Sequence, residues 1–245
     1  MKKYSLLLIL NFVLLSSYSQ IWKQQRYEVW GAVSVFQYFG DCGGTSSSNN
    51  LMGLKDISIS ANRPGLSLGA IYRADKRWYL QVSNSFGFFT QTDKGSRNEI
   101  RNFSFNTVAN ETSIQGMYFF IKESDRSYSF TYRNALRGVN QLFSMYAFAG
   151  LGSLYYKVTP EDALVNSSRF VNKHLSVVFP IGVGAKFTFT PSFSLGLELG
   201  RRWTFTDYLD GFTSPWSKHK DAYYIMNFKL YYRLPKTFRA SHSSY

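Results

Sequence analysis

Two runs of strict two-residue alternation near the C-terminus constrain the fold more than any other feature of the chain. From Ser192 to Phe205, the residues Phe193, Leu195, Leu197, Leu199, Trp203 and Phe205 fall on one face. Ser194, Gly196, Glu198, Gly200, Arg202 and Thr204 fall on the other. Leu175 to Phe189 repeats the pattern, with Val177, Phe179, Ile181, Val183, Ala185, Phe187 and Phe189 set against Ser176, Gly182, Gly184, Lys186 and Thr188. Thr190 and Pro191 supply the turn between the runs. A period of two is the signature of a β-strand. Both runs exceed the about 5–6 residues of an ordinary strand and reach the about 9–11 that a tilted strand needs to cross a bilayer.

Six further segments read as strands: Arg26–Phe39, Arg63–Arg73, Arg77–Thr90, Asn106–Ile121, Leu142–Lys157 and Ala222–Leu234. With the first two runs they predict an all-β fold, a closed up-and-down transmembrane β-barrel of about eight antiparallel strands. Aromatic residues make up 18% of the chain, with 18 Tyr and 22 Phe, which suits strands and the interfacial girdles of a membrane barrel. The N-terminus reads as a secretory signal over residues 1–19. Lys2 and Lys3 precede an apolar run from Leu6 to Leu15, and Ser16, Ser17 and Ser19 provide the small residues for cleavage. The remaining organisation is a barrel over residues 20–234 and a basic tail over 235–245. An exported chain with such strands is expected in the outer membrane of a Gram-negative cell; a secreted β-sandwich is the soluble alternative.

A barrel of this size has an interior that side chains can fill. The polar faces carry Glu28, Arg73, Glu111, Lys186, Glu198, Arg202 and Lys229. Both signs are present, and a charge held in the lumen must be paired. Glu28, Glu111, Lys186, Glu198, Arg202 and Lys229 are therefore expected to form a structural ion network that plugs the barrel. Barrel topology puts both termini and the short turns in the periplasm and the long loops outside. Lys122–Gln141 departs from this rule: it is long, yet strand parity makes it periplasmic, and such extra material is a candidate binding surface.

Charge points the same way. Loss of Lys2 and Lys3 with the leader lowers the formal charge from +13 to +11. The segments assigned to the periplasm hold twelve basic and three acidic residues, and so carry +9 of that charge. A lopsided field attracts an acidic partner. Arg73, Lys76, Arg77, Arg126, Arg133 and Arg137 are the candidate contacts; outer-membrane lipid and a periplasmic protein are the candidate partners, and nucleic acid is not expected for an exported barrel.

No catalytic constellation emerges. His174-Leu175-Ser176 resembles the His-x-Ser of outer-membrane lipid A deacylases, but Thr188 stands where that family has its orienting Glu, and parity turns Ser176 into the lumen. Asp207, Asp210 and His219 share one outer loop, as acids and a His do at the rim of outer-membrane aspartyl proteases, but those barrels have more strands. Cys42, the only cysteine, lies in a Gly/Ser-rich stretch without neighbouring metal ligands. The chain is thus expected to be non-enzymatic and to need no cofactor or metal.

Several segments, taken in order, carry a family resemblance. They are Tyr38-Phe39-Gly40-Asp41, Arg63-Pro64, Arg101-Asn102-Phe103-Ser104-Phe105 with Glu111, Tyr146-Ala147-Phe148-Ala149-Gly150-Leu151-Gly152, Phe179-Pro180-Ile181-Gly182-Val183-Gly184 and Gly200-Arg201-Arg202-Trp203-Thr204-Phe205. The last runs on into Thr206-Asp207-Tyr208-Leu209-Asp210, the most specific piece. Together they resemble the PorG-like outer-membrane barrels of the type IX secretion system in Bacteroidota. The family usually continues with a second Asp and Val-Ser, where this chain has Gly211-Phe212-Thr213. The resemblance implies a non-enzymatic barrel that docks a periplasmic ring built from a lipoprotein and a partner protein. The alternative is a general outer-membrane scaffold or adhesin-like barrel that works through its extracellular loops.

Overall fold

A computed structural model defines the fold and describes residues 26–39, 62–93, 100, 102–122, 142–165, 167, 170–171, 174–190, 192–206, 208–211 and 221–235. Eight strands follow one another along the chain: β1 (Tyr27–Phe39), β2 (Arg63–Arg73), β3 (Trp78–Thr92), β4 (Phe103–Ile121), β5 (Phe143–Asp162), β6 (Leu175–Thr188), β7 (Phe193–Thr204) and β8 (Ala222–Arg233). Each pairs antiparallel with the next, and β1 pairs with β8 from Glu28↔Arg233 to Phe39↔Ala222, so the sheet closes into a barrel with no edge. The register of β4 against β5 shifts between Phe119 and Ile121, a bulge at the periplasmic end. The expected leader, Cys42, Arg126, Arg133, Arg137, Asp207 and His219 lie outside the described residues.

The two faces of the sheet have opposite chemistry. Outward residues such as Val33, Leu66, Ile114, Leu151, Leu175 and Val183 are each more than half exposed. Inward residues such as Ser34, Gln81, Glu111, Lys186, Glu198 and Lys229 are buried. This inversion, apolar outside and polar inside, is stable in lipid and costly in water. Closure also leaves no strand edge unpaired, which a bilayer requires; the β5–β6 ladder is interrupted only around Pro180, which has no N–H to donate. Among the described residues no helix is long and apolar enough to cross a membrane; the strands do so.

Aromatic pairs mark both rims of the apolar band. Tyr27–Tyr72, Trp78–Tyr118 and Phe193–Tyr232 pack with tilted rings whose centres are 5.4, 4.9 and 5.1 Å apart near the end that carries the termini. Phe39–Tyr224 and Phe179–Trp203 pair at 5.1 and 6.3 Å near the other. Leu197 lies between the rims and faces lipid. Leu197→Arg should therefore lower stability by about 2–4 kcal/mol, the cost of a lipid-facing cation near mid-depth. Urea unfolding in lipid vesicles would measure it.

Strand β3 runs two residues past its expected end, to Thr92, and β4 and β5 outrun their limits further. Periodicity starts β4 at Asn106 and ends β5 at Lys157, whereas pairing continues to Phe103↔Asp162. The outward residues there are polar, and Asn106 Nδ2 donates to Glu161 Oε1 at 2.6 Å. Backbone pairing does not depend on side-chain hydropathy, so the hairpin projects past the apolar band without the alternation that would reveal it.

Candidate functional site

The lumen is filled in layers, each assembled from inward positions of several strands. Nearest the termini, Glu28 on β1 accepts from Lys186 Nζ at 2.7 Å and from Arg233 Nε and Nη2 at 2.9 and 2.8 Å. Glu28 and Arg233 are cross-strand neighbours, and Lys186 reaches over from β6 with its ammonium 5.0 Å from the Tyr231 ring. Such charge-assisted, two-pronged contacts are the strong class of hydrogen bond.

At mid-height Glu198 on β7 accepts from Lys229 Nζ at 2.5 Å, Tyr146 Oη at 2.9 Å and Asn227 Nδ2 at 3.1 Å. Lys229 also donates to Gln81 Oε1 at 3.2 Å and sits 3.9 Å from the centre of the Trp30 ring. Neutral groups extend the network around the wall. Ser34 donates to Asn227 Oδ1 and touches Ser67, both at 2.7 Å, and Ser67 donates to Ser85 at 2.8 Å. On the other side Gln81 Nε2 donates to Gln115 Oε1 at 2.8 Å, and Gln115 Nε2 to Ser113 at 2.9 Å. Tyr146 can cross the lumen because its ring lies on Gly184, where a Cβ would run into it.

Above this, Glu111 on β4 accepts from Tyr223 Oη at 2.7 Å and pairs with Arg202 Nε at 3.4 Å. Arg202 Nη1 donates to the Gly200 carbonyl at 2.7 Å, and the guanidinium faces the Phe148 ring at 6.0 Å. Three acids, Glu28, Glu111 and Glu198, are each neutralised by a cation from another strand. Buried charges are tolerated in this form and not otherwise.

The extracellular mouth is closed by an aromatic cluster that includes Phe36, Tyr38, Phe89, Phe105, Tyr156 and Tyr223. Thr206 and Tyr208–Asp210 fold down into it. Leu209 is fully buried; its N–H donates to Asp221 Oδ2 at 2.9 Å, and its carbonyl accepts from Thr107 Oγ1 at 2.9 Å. Tyr38 Oη donates to the other Asp221 oxygen at 2.8 Å. Tyr156 Oη lies 3.3 Å from Thr206 Oγ1, and Asp210 is buried beside Leu209 in sequence. Thr206, Leu209 and Asp210 of the motif are thus a stopper in the barrel mouth, clasped by Asp221.

At the periplasmic end, Lys76 and Arg77 are exposed on the β2–β3 turn, and Arg77 Nη1 donates to Tyr118 Oη at 3.1 Å. Arg73 is placed differently. Only 6% exposed, it turns inward with its guanidinium 5.4 Å from the Tyr79 ring, so it braces the turn from inside and does not offer its charge to a partner. His174 and Ser176 are engaged separately. The imidazole stacks on outward-facing Tyr155 at 6.1 Å, whereas Ser176 faces inward and donates to the Val177 carbonyl at 3.1 Å. Among the described residues no three His, Cys, Asp or Glu side chains gather as a metal site.

Tyr146, Tyr223 and Asp221 are among the site residues that sequence reasoning missed. The first two lie on inward positions and could have been found by carrying alternation through β5 and β8. Asp221 lies just before β8, where periodicity is silent.

Comparison with known proteins agrees with this architecture. A sequence-family model described as "Domain of unknown function (DUF6089)" matches residues 4–230. No curated protein sequence matches the chain. Among solved structures, the outer membrane protein OprG from Pseudomonas aeruginosa superposes with a TM-score of 0.51 at 8% identity, covering 86% of this chain and 96% of that one. Ail, the attachment invasion locus protein of Yersinia pestis, gives 0.45 at 12% identity over 86% and 99%. Neisserial surface protein A gives 0.43 at 9% over 85% and 97%. At 8% identity the likeness to OprG is one of fold, that of an outer-membrane barrel.

Proposed function

Because the chain belongs to the DUF6089 family, whose description assigns no activity, we propose its role from its own architecture: a non-enzymatic outer-membrane barrel that docks a periplasmic assembly through its basic, terminus-bearing end. The resemblance to PorG-like barrels makes the ring of a type IX-like secretion machine, a lipoprotein with its partner protein, the assembly of choice. The observation that carries this reading is a contrast. The lumen is filled by mutually neutralised charges and the mouth is stoppered, whereas Lys76 and Arg77 stand exposed at the opposite end. A filled barrel is a poor conduit but a rigid anchor. Arg126, Arg133 and Arg137, in the sequence between β4 and β5, are the further candidate contacts.

Reversing Lys76, Arg77, Arg126, Arg133 and Arg137 to Glu should abolish co-purification of the periplasmic ring. The barrel itself should still migrate as a folded, heat-modifiable species. Wild-type complex yield should also fall with salt, since exposed charges are screened within about 10 Å at 0.1 M. A complex that survives all five reversals sinks the docking role. The alternative, an adhesin-like scaffold, requires instead that replacing the 206–221 loop abolish surface binding and leave ring capture intact.

A further inference from the structure

The lipid-facing wall is not uniform. On β6 and β7 it presents Val177, Phe179, Ile181, Val183, Leu195 and Leu197, all exposed and all apolar. Across β3, β4 and β5 a polar row interrupts the band. Asn84 pairs in register with Thr112, and Thr112 with Ser153. All three project outward, and Asn110 lies one step further along β4 on the same face. The row is inside the apolar band, not beyond it. Val82 and Phe86 flank Asn84, and Leu151 and Tyr155 flank Ser153, all four being exposed large apolar side chains.

These polar groups only partly satisfy one another. Asn84 Nδ2 donates to Asn110 Oδ1 at 2.8 Å and to Thr112 Oγ1 at 2.9 Å. That leaves the Asn84 amide oxygen and the Asn110 amide nitrogen without a partner among the described residues. Acyl chains offer them nothing, and an unmet amide in hydrocarbon is costly.

Nearer the periplasm the same wall is flat. Gly116 and Ala149 are register partners, both outward and exposed. A Cβ on Gly116 would meet only the Ala149 carbonyl oxygen, at 3.9 Å, so internal packing does not demand a glycine there. Small residues on a lipid-facing surface let another backbone approach closely, and polar side chains then bond across the contact.

We propose that the β3–β4–β5 wall is the interface of a homodimer within the membrane. The occupant follows from electrostatic complementarity. The row carries an unmet acceptor, the Asn84 oxygen, and an unmet donor, the Asn110 nitrogen, so one patch complements a second copy of itself. A two-fold axis along the membrane normal keeps every residue at its own depth and brings the two rows together as an isologous contact. The β6–β7 wall, apolar apart from Arg201 lying over the Trp203 and Tyr224 rings, remains against lipid.

The test uses the full-length protein in native outer membranes, with Cys42→Ser to remove the native thiol. Ser153→Cys is oxidised with copper phenanthroline, with Leu197→Cys on the opposite wall as the comparison. A disulfide-linked species of about twice the monomer mass should form from Ser153→Cys and not from Leu197→Cys. Adding Asn84→Leu and Asn110→Leu should cut its yield by about tenfold, the weight of one or two hydrogen bonds formed in the bilayer. Heat-modifiable migration checks that each variant is folded, and the unmodified amide row in Ser153→Cys alone makes that arm independent of the double substitution. Absence of the dimer, an adduct with a different protein, or equal cross-linking from Leu197→Cys would each overturn the proposal.

Discussion

Glu198→Ala is expected to destabilise the barrel by about 3–5 kcal/mol, the cost of removing one member of a buried ion pair. Three donors lose their acceptor at once: Lys229, Tyr146 and Asn227. Lys229 is left as a buried cation over the Trp30 ring, and a ring face cannot replace a carboxylate. The double variant Glu198→Leu with Lys229→Met should recover much of the loss, because it removes the charge together with its counter-charge. Urea unfolding in lipid vesicles, followed by tryptophan emission, suits the measurement, since Trp30 lies 3.9 Å from the Lys229 ammonium. A single variant within about 1 kcal/mol of wild type would show that the network contributes little.

Asp221→Ala should release the stopper. Its carboxylate holds the Tyr38 hydroxyl and the Leu209 N–H, both buried, and hydrogen bonds to a charged group are worth about 1.5–3 kcal/mol each. The two share one acceptor and will not add fully, so about 3 kcal/mol is the expected loss. The more diagnostic readout is proteolysis of intact cells from outside. Wild-type protein should resist cleavage at Tyr208–Gly211, and Asp221→Ala should be cut there. Asp221→Asn, which keeps one acceptor oxygen, should fall between them. If the alanine variant is as resistant as wild type, the clasp does not hold the segment down.

The fold was legible because a barrel writes itself in a two-residue period. Leu195 and Leu197 against Glu198, and Val183 against Lys186, already state which face meets lipid and which meets the lumen. Legibility stopped where the physics stopped alternating. The outer ends of β4 and β5 carry polar residues on their outward face, so Phe103 to Phe105 and Val158 to Asp162 read as loop although the backbone pairs there. The charged lumen residues could be named from parity, but their pairing could not. Lys186 meets Glu28 from 158 positions away, a choice made by barrel closure. Arg73 shows the reverse problem: parity put it on the inward face, yet its place at a strand end also counted it among the periplasmic contacts, and its side chain turns inward. The burial of Leu209 and the clasping role of Asp221 were hidden because tertiary contact alone draws loop residues into the mouth.

The last strand has a part in assembly that its position in the chain imposes. Each of the three lumen acids takes a hydrogen bond from β8: Glu28 from Arg233, Glu198 from Lys229 and Asn227, and Glu111 from Tyr223. Until β8 arrives, a seven-stranded sheet would hold carboxylates beside a slit open to hydrocarbon. Zipping β8 onto β1 seals that slit and completes the neutralisation of the interior in one event. Insertion and closure are thereby coupled: the chain has little to gain from entering the bilayer partly built, and much to gain from finishing the ring.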